Sequence, residues 1–308
     1  MKKKKLSRRD FLKRGTGFGL AWAGMGLVSA PDIVRAMVGS TFSEPLNLAV
    51  AKGGDPVSNT IKAIEALGGI ERFVKRGDKV TLKPNPVMTN PPEFATNTHP
   101  DVVETVARMC VQAGAREVVV VSHDALSNFE GNGTLAAASR AGARVVAATT
   151  RDLYQPVPVL RGRLLQNEEI IQDILDADVF INMPIAKDHA GSRLTLGMKN
   201  LMGINWNRNY FHQFGLHQGI ADLSSVVKPH LIIMDANRVL LTNGPGGPGQ
   251  TREDKTVIAG TDPVAVDTYT ATLFNLTPRD VPHIQYAYEL GVGEADLKKI
   301  NVKEIKVQ

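Results

Sequence analysis

Residues 117–124 read EVVVVSHD, an apolar run that ends in two polar side chains. Four consecutive valines are typical of a strand that is buried on both faces of a parallel sheet. Residues 79–83, KVTLK, form a second run, and residues 100–113 between them have helical spacing that ends at Gly114. A strand, a helix and a strand in this order predict a parallel β-α-β unit with a right-handed crossover.

The alternation of strands and helices continues on both sides of this unit. Further strands are predicted at residues 46–51, 145–148, 179–183, 231–234 and 302–307, and helices at 57–74, 135–141, 168–175, 220–227 and from Pro263. Residues 157–165 indicate a hairpin region. We therefore predict an α/β fold with a doubly wound, mostly parallel sheet and helices on both faces. Residues 184–216 are predicted to form a long irregular insertion near the strand ends, with a helix near 196–201.

The first 36 residues have a different composition from the rest of the chain. They contain nine basic and two acidic residues, and an apolar stretch follows the basic part at residues 15–30. This is the order of a signal peptide. Residues 7–13, SRRDFLK, resemble the twin-arginine motif, which implies export of a folded protein through the twin-arginine (Tat) translocon to a periplasmic or other extracytoplasmic location. Cleavage is predicted after Ala36 rather than Ala30, which Pro31 follows, and an uncleaved membrane anchor is the alternative.

Residues 37–308 are predicted to form a single α/β domain. The chain has 308 residues, and outside the first 36 it carries 27 basic and 29 acidic residues, so nucleic acid is not a predicted partner. Cys110 is the only cysteine. The chain therefore forms no internal disulfide, and an iron–sulfur cluster is not expected because a cluster needs about four thiolates.

Five short segments of the chain resemble the family known as domain of unknown function 362. They are Lys83-Pro84-Asn85, residues 184–189 (PIAKDH), residues 194–203 (LTLGMKNLMG), Asn243-Gly244-Pro245 and residues 260–267 (GTDPVAVD). The resemblance covers most of residues 46–293. It implies an α/β fold and a shared site, but no established reaction.

The candidate site combines polar residues that follow predicted strand ends with two residues, Lys199 and Asn200, on a predicted helix. Its members are Lys83, Asn85, Lys187, His189, Lys199 and Asn200. Asn243, from a glycine loop at residues 243–249 (NGPGGPG), is a further ligand-binding candidate. Because ligands bind at the carboxyl ends of parallel strands, these groups suit an anionic oxygen ligand. Lys187, His189 and Lys199 are the candidate catalytic residues, with His189 as the acid/base. The alternative is a structural network of buried lysine, asparagine and backbone carbonyls.

Metal binding is a second hypothesis for the strand ends. His123 and Asp235 are the candidate ligands, and a divalent cation is conceivable beside an anionic substrate. Against this, such residues commonly cap helices and satisfy the backbone at strand ends. The sequence identifies no particular cofactor.

Two functions follow from these observations. The first is an exported enzyme that binds an oxygen-rich anionic small molecule. The alternative is a non-catalytic exported binding or maturation factor for a redox or metal enzyme. The export motif and the ferredoxin-like modules that some relatives carry motivate this alternative.

Overall fold

A computed structural model describes residues 48–308. The predicted signal segment and both cleavage positions lie outside the described residues. The strands within residues 48–308 are β1 (Leu48–Lys52), β2 (Lys79–Pro84), β3 (Glu117–Ser122), β4 (Arg144–Ala147), β5 (Tyr154–Pro158), β6 (Asn167–Ile171), β7 (Val179–Met183), β8 (Ile185–His189), β9 (Arg193–Thr195), β10 (Leu231–Leu240), β11 (Thr251–Gly260) and β12 (Val302–Lys306).

The α-helices of the same part of the chain differ widely in length. They are α1 (Pro56–Ala66), α2 (Pro100–Gln112), α3 (Leu126–Gly131), α4 (Thr134–Arg140), α5 (Gln172–Leu175), α6 (Gly197–Asn200), α7 (Arg208–Phe214), α8 (Leu216–Val226), α9 (Pro263–Thr272) and α10 (Pro282–Glu289). Within residues 48–308, none of them has the length and apolar composition needed to cross a membrane.

The described chain is built around one large sheet, in which the order of the main strands is β12-β1-β11-β10-β7-β2-β3-β4. The strands from β10 to β4 are parallel to one another, and β1 is parallel to β12. Only β11 on this path runs antiparallel to its neighbours. Beyond the end of β7, β8 lies parallel to the second half of β10, and β9 pairs antiparallel with β8. The predicted mostly parallel α/β fold is confirmed.

Helices cover both faces of the sheet, as the sequence predicts. Val118 and Val120 of β3 pack into one apolar core with residues of α1 and α2. Val119 and Val121 point to the other face, where they join a core that includes residues of α8, α9 and α10. This separation follows from the period of two along a strand.

The first helix is shorter than predicted. Asp55 caps it by accepting a hydrogen bond from the backbone N–H of Ser58, and it ends at Ala66 rather than continuing to residue 74. Gly68 and Gly69 follow with φ of 100° and 81°. Because this backbone region favours glycine and breaks a helix, residues 70–72 form only a separate 3₁₀ turn.

The prediction of a helix over residues 168–175 is wrong for its first half. Residues 167–171 form β6, which pairs antiparallel with β5 as a hairpin, and only residues 172–175 are helical. Ile170 and Ile171 are both buried, so the apolar residues there fit either pattern and the pairing with β5 decides between them.

The segment predicted to be irregular, residues 184–216, is largely regular. It contains β8, β9, α6 and α7. The strand predicted to end at Asp235 continues to Leu240, with an irregular register between Ala236 and Arg238. Its second half stands beside β8, which supplies a backbone partner for the additional residues.

Candidate functional site

A cavity of about 370 Å³ opens where β2, β3 and β8 end. This is the carboxyl edge of the parallel strands, where α/β proteins bind ligands. Six of the residues singled out in the sequence line it together: Lys83, Asn85, Lys187, His189, Lys199 and Asn200. They come from β2, β8 and α6, so the fold joins segments that are far apart along the chain.

The three lysines of the cavity differ in how many acceptors they contact. Lys187 Nζ donates to Asn85 Oδ1 at 3.0 Å, to Pro245 O at 3.2 Å and to the carbonyl of Thr96. Lys83 Nζ donates to the carbonyl of Pro84 and to Asn200 Oδ1 at 3.1 Å.

Lys199 is the exception among the three lysines. No described residue accepts a hydrogen bond from its Nζ or forms an ion pair with it, and it is only partly buried. Since an ammonium group has three N–H donors, Lys187 is saturated by protein, Lys83 retains one N–H, and Lys199 retains all three.

Asn200 connects the lysines into one buried network. Its Oδ1 accepts from Lys83 Nζ and from Asn85 Nδ2, and its Nδ2 donates to Lys83 O and Asn182 Oδ1. Every hydrogen-bonding position of the Asn200 amide is therefore used within the protein. For Asn200 and Lys187 this matches the structural network that the sequence left as an alternative.

Burial lowers the pKa of all three lysines. The pKa of Lys83 and of Lys187 falls to about 7, and that of Lys199 falls to about 8. Desolvation of the ammonium group is the main cause, and neighbouring cations add to it, while Asp124 opposes the shift. A ligand that carries negative charge would relieve this repulsion.

His189 has a geometry that favours hydrogen-bond donation. Its Nδ1 accepts from the backbone N–H groups of Gly191 at 3.0 Å and Ser192 at 3.2 Å, so the neutral ring carries its proton on Nε2. Burial, followed by the charges of Lys199 and Lys187, lowers the pKa of His189 to about 3. At neutral pH the ring is uncharged, and this geometry favours a donor role over the acid/base role that the sequence suggested.

A fourth cation and one carboxylate complete the cavity. Arg208, the first residue of α7, contacts Asp124 Oδ1 at 3.3 Å, and Asp124 Oδ2 accepts from Ser122 Oγ at 2.6 Å. His212, one turn further along α7, also lines the cavity and stacks on His189 with ring centroids 6.4 Å apart. The sequence analysis did not identify Arg208, although its i, i+4 spacing from His212 places both on one face of a helix.

Local contacts explain why glycine stands at positions 203 and 197 of the family segments. A Cβ at Gly203 would lie 2.8 Å from Lys83 Nζ, so any other residue there would have to displace the buried ammonium group. At Gly197 the backbone N–H donates to Asp267 Oδ1 at 2.7 Å, and Met198 N–H donates to Oδ2 at 2.9 Å. Asp267 thus holds the start of α6, the helix that carries Lys199 and Asn200.

The glycine loop contributes a rim to the cavity. Pro245 lines it and accepts from Lys187, while Gly244 N–H donates to Asp188 Oδ2 at 2.9 Å. The structure does not bring the Asn243 side chain into the cavity. Asn243 Nδ2 donates to Pro248 O at 3.0 Å within the loop, and the residue is exposed.

The two residues considered as metal ligands do not line the cavity. Asp235 accepts from the backbone N–H groups of His99 and Asn237, and His123 Nδ1 lies 2.7 Å from the Tyr154 hydroxyl oxygen. Among residues 48–308, no three His, Cys, Asp or Glu side chains form a group that could hold a metal ion. Cys110, the single thiol, belongs to α2 and is buried in the core.

The chain belongs to the family described as domain of unknown function (DUF362), whose profile matches residues 80–272. This range contains each of the six cavity residues that the sequence identified. A relative, described as a thylakoid-associated protein of Synechocystis sp., is 28% identical over 262 residues. The match covers 79% of this chain and 77% of that protein.

Two solved structures resemble the fold at low sequence identity. The lactate racemase apoprotein from Thermoanaerobacterium thermosaccharolyticum has a TM-score of 0.46 and 10% identity, covering 72% of this chain and 56% of that chain. A structural genomics target from Thermotoga maritima has a TM-score of 0.43 and 11% identity, covering 77% and 60% respectively. The chain therefore spans less than two thirds of either structure.

Proposed function

We propose that the protein binds an oxygen-rich anionic small molecule in the cavity at the ends of β2, β3 and β8. One observation carries this proposal: Lys83, Lys187, Lys199 and Arg208 line the same cavity, against the single carboxylate of Asp124. Burying like charges together is unfavourable unless an opposite charge offsets them. A bound carboxylate or phosphate group supplies that charge.

The hydrogen bonds of these residues support a different role for each of them in the proposed site. Lys187, Asn85 and Asn200 mainly shape the cavity, because protein groups occupy most of their donors and acceptors. Lys199, with no partner among the described residues, and Arg208, with a single 3.3 Å contact to Asp124, retain donors for a ligand. His189 adds the Nε2–H donor.

Proton transfer in this cavity would fall to Lys199 rather than to His189. Its amine lies on a helix held by Asp267, and a pKa of about 8 makes it able to gain and lose a proton near neutral pH. An enzyme that works on the bound anion is therefore our leading proposal. Binding without turnover on any anion tested would favour the exported binding or maturation factor instead.

The proposal is tested by calorimetric titration with phosphate and with pyruvate. A hydrogen bond to a charged group contributes about 1.5–3 kcal/mol, so Lys199→Met should lower affinity about ten- to a hundredfold. Lys62→Met removes an exposed lysine of α1 that pairs with Glu65, and it should leave affinity unchanged. Equal binding by the wild type and Lys199→Met would contradict the proposal.

The affinity should also depend on pH in a defined direction. The anion binds the protonated lysines best and raises their pKa, so binding takes up protons. For lactate, whose carboxylate stays ionised over this range, affinity should be highest below pH 7, the free-state pKa of Lys83 and Lys187, and should fall as pH rises through 7 and 8. Titrations in buffers of different ionisation enthalpy measure the proton uptake, and affinity that rises with pH would contradict this assignment.

We also propose that the chain is exported through the Tat translocon to an extracytoplasmic location. The SRRDFLK segment at residues 7–13 supports this, and the description of the Synechocystis relative as thylakoid-associated agrees with a location at a membrane.

A further inference from the structure

We propose that Lys199 forms an imine with the carbonyl carbon of a 2-oxo acid bound in this cavity. This inference rests on the proposed anion binding and extends it to a covalent step. The cavity offers three lysine amines, and only Lys199 lacks a hydrogen-bond or ion-pair partner among residues 48–308. Lys187 and Lys83 direct their N–H groups at protein acceptors, so the free amine identifies the nucleophile.

The position of Lys199 suits a nucleophile. Both carboxylate oxygens of Asp267 accept backbone N–H groups at the start of α6, from Gly197 and Met198. Asn200, the next residue, is fixed on its other side by Asn182 and Lys83. The backbone of Lys199 is therefore anchored at both neighbours, while its side chain projects into open cavity space.

The surroundings also raise the fraction of uncharged amine. Desolvation and then the Arg208 charge lower the pKa of Lys199 to about 8, which leaves about a quarter of the amine unprotonated at pH 7.5. A free lysine at its usual value would have roughly one part in a thousand unprotonated at that pH. Burial beside other cations is a known means of activating a lysine towards carbonyl groups.

The charges around Lys199 define the class of carbonyl compound. Arg208 uses one guanidinium nitrogen on Asp124, and a guanidinium can hold a carboxylate with two parallel N–H groups. Lys83 retains one N–H donor on the same cavity wall. A 2-oxo acid has its carboxylate and its electrophilic carbonyl on adjacent carbons, so one compact ligand engages both the cations and the amine.

The step needs no oxidant or reductant. The unprotonated Lys199 nitrogen forms a bond to the carbonyl carbon, and the carbonyl oxygen is protonated to give a carbinolamine. The carbon–oxygen bond then breaks, and the oxygen leaves as water with the two hydrogens that were on the amine. A carbon–nitrogen double bond remains, and Asp124 and Lys83, which line the same cavity, are the groups that could exchange these protons.

The experiment is borohydride trapping of the full-length protein with pyruvate and, separately, with 2-oxoglutarate, followed by intact mass and peptide mapping. We expect one reductively linked adduct, on the peptide that contains Lys199. Lys199→Arg keeps the charge but should abolish the adduct, and Lys62→Arg should retain it. Lactate, which lacks the carbonyl group, should give none.

The pH dependence separates the imine from simple anion binding. Trapping should increase from pH 6 to 8.5 as the amine loses its proton, whereas the affinity for lactate should decrease over the same range. Binding of lactate and pyruvate without any adduct overturns the imine and leaves the proposed anion binding intact. Absence of binding by both overturns the proposed function itself, and an adduct that persists in Lys199→Arg assigns the wrong lysine.

Discussion

At Gly203 the backbone passes close to the ammonium group of Lys83. A methyl group there would lie 2.7 Å from Lys83 Cε and 3.0 Å from Ser122 Oγ. Gly203 O also accepts from the backbone N–H of His123 at 2.8 Å, which fixes this stretch against the end of β3. The sequence shows a glycine in a family segment, but the lysine that requires it lies 120 positions earlier, and only the fold brings the two together.

Gly203→Ala should therefore disturb anion binding through Lys83. Inserting a methyl group into a packed site costs about 1–3 kcal/mol, and displacement of the Lys83 ammonium should also weaken phosphate binding several-fold. Denaturant unfolding and calorimetry measure the two effects. When Gly203→Ala and Lys83→Met are combined, the loss in affinity should be smaller than the sum of the two single losses. Full additivity would show that Gly203 does not act through Lys83.

Two short helices meet at Asp267. This residue belongs to α9, yet its carboxylate holds the first backbone N–H groups of α6. The cap of α9 itself is Asp262, which accepts from Val264 and Ala265 N–H, as its place before Pro263 suggests. The GTDPVAVD segment thus supplies one acid to its own helix and another to the helix of Lys199.

Asp267→Asn should change the pH dependence of stability. Burial raises the pKa of Asp267 to about 7, above its value of 3.8 when exposed. Between pH 4 and pH 7 the carboxyl group is therefore protonated in the folded state and ionised in the unfolded chain. The contribution of Asp267 to stability therefore declines from pH 4 to pH 7, by at most about 1.4 kcal/mol per pH unit. Unfolding at several pH values should show a smaller decline in Asp267→Asn than in the wild type.

Two comparisons complete that experiment. Asp55→Asn replaces the exposed N-cap residue of α1 with another good N-cap residue and should keep the wild-type pH dependence. Asp267→Asn should also weaken phosphate binding, because α6 loses one of its two carboxylate contacts and Lys199 is held less firmly. Identical unfolding profiles for the wild type and Asp267→Asn would contradict the assignment.

The elements that the sequence predicts best are those with a continuous apolar signal. The strands at 79–83, 117–122 and 179–183 are all confirmed, because both of their faces are buried. β8 was missed, since Lys187, Asp188 and His189 break the apolar pattern, and two of these three side chains line the cavity. The polar residues that line the cavity therefore interrupt the apolar pattern from which the strand would have been predicted.

The candidate residues were predictable in part for a related reason. Polar residues at strand ends and on the predicted helix near 196–201 identified six cavity residues, but their hydrogen bonds depend on distances that one sequence does not contain. The division between saturated Lys187 and unpartnered Lys199 is one example. Arg208 was missed because it lies on α7, within a segment predicted to be irregular.

At the scale of the whole molecule, the excess of positive charge is concentrated in the first 36 residues. The nine basic residues of the first 36 include the Arg8-Arg9 pair, while the rest of the chain has slightly more acidic than basic residues. A twin-arginine signal depends on that pair rather than on total charge. The proposed export therefore predicts a sharp difference between two sets of conservative substitutions.

Arg8→Lys combined with Arg9→Lys should abolish export while leaving the charge and the folded body unchanged. Lys4→Arg combined with Lys5→Arg is the matched control and should export normally. Cell fractionation with immunoblotting in a host with a functional Tat translocon measures both. Export of the Arg8/Arg9 variant at the wild-type level, or export in a host without the translocon, would contradict the prediction.

The place of β1 in the sheet has a consequence for how the protein is made. β1 comes first among the described strands, but it pairs with β11 on one side and β12 on the other, which span residues 251–306. During synthesis β1 cannot pair with either neighbour until β11 and β12 have left the ribosome. A prematurely terminated product would lack both partners and expose two strand edges. Under the proposed Tat export, a chain truncated before β11 could not complete this sheet and should not be exported.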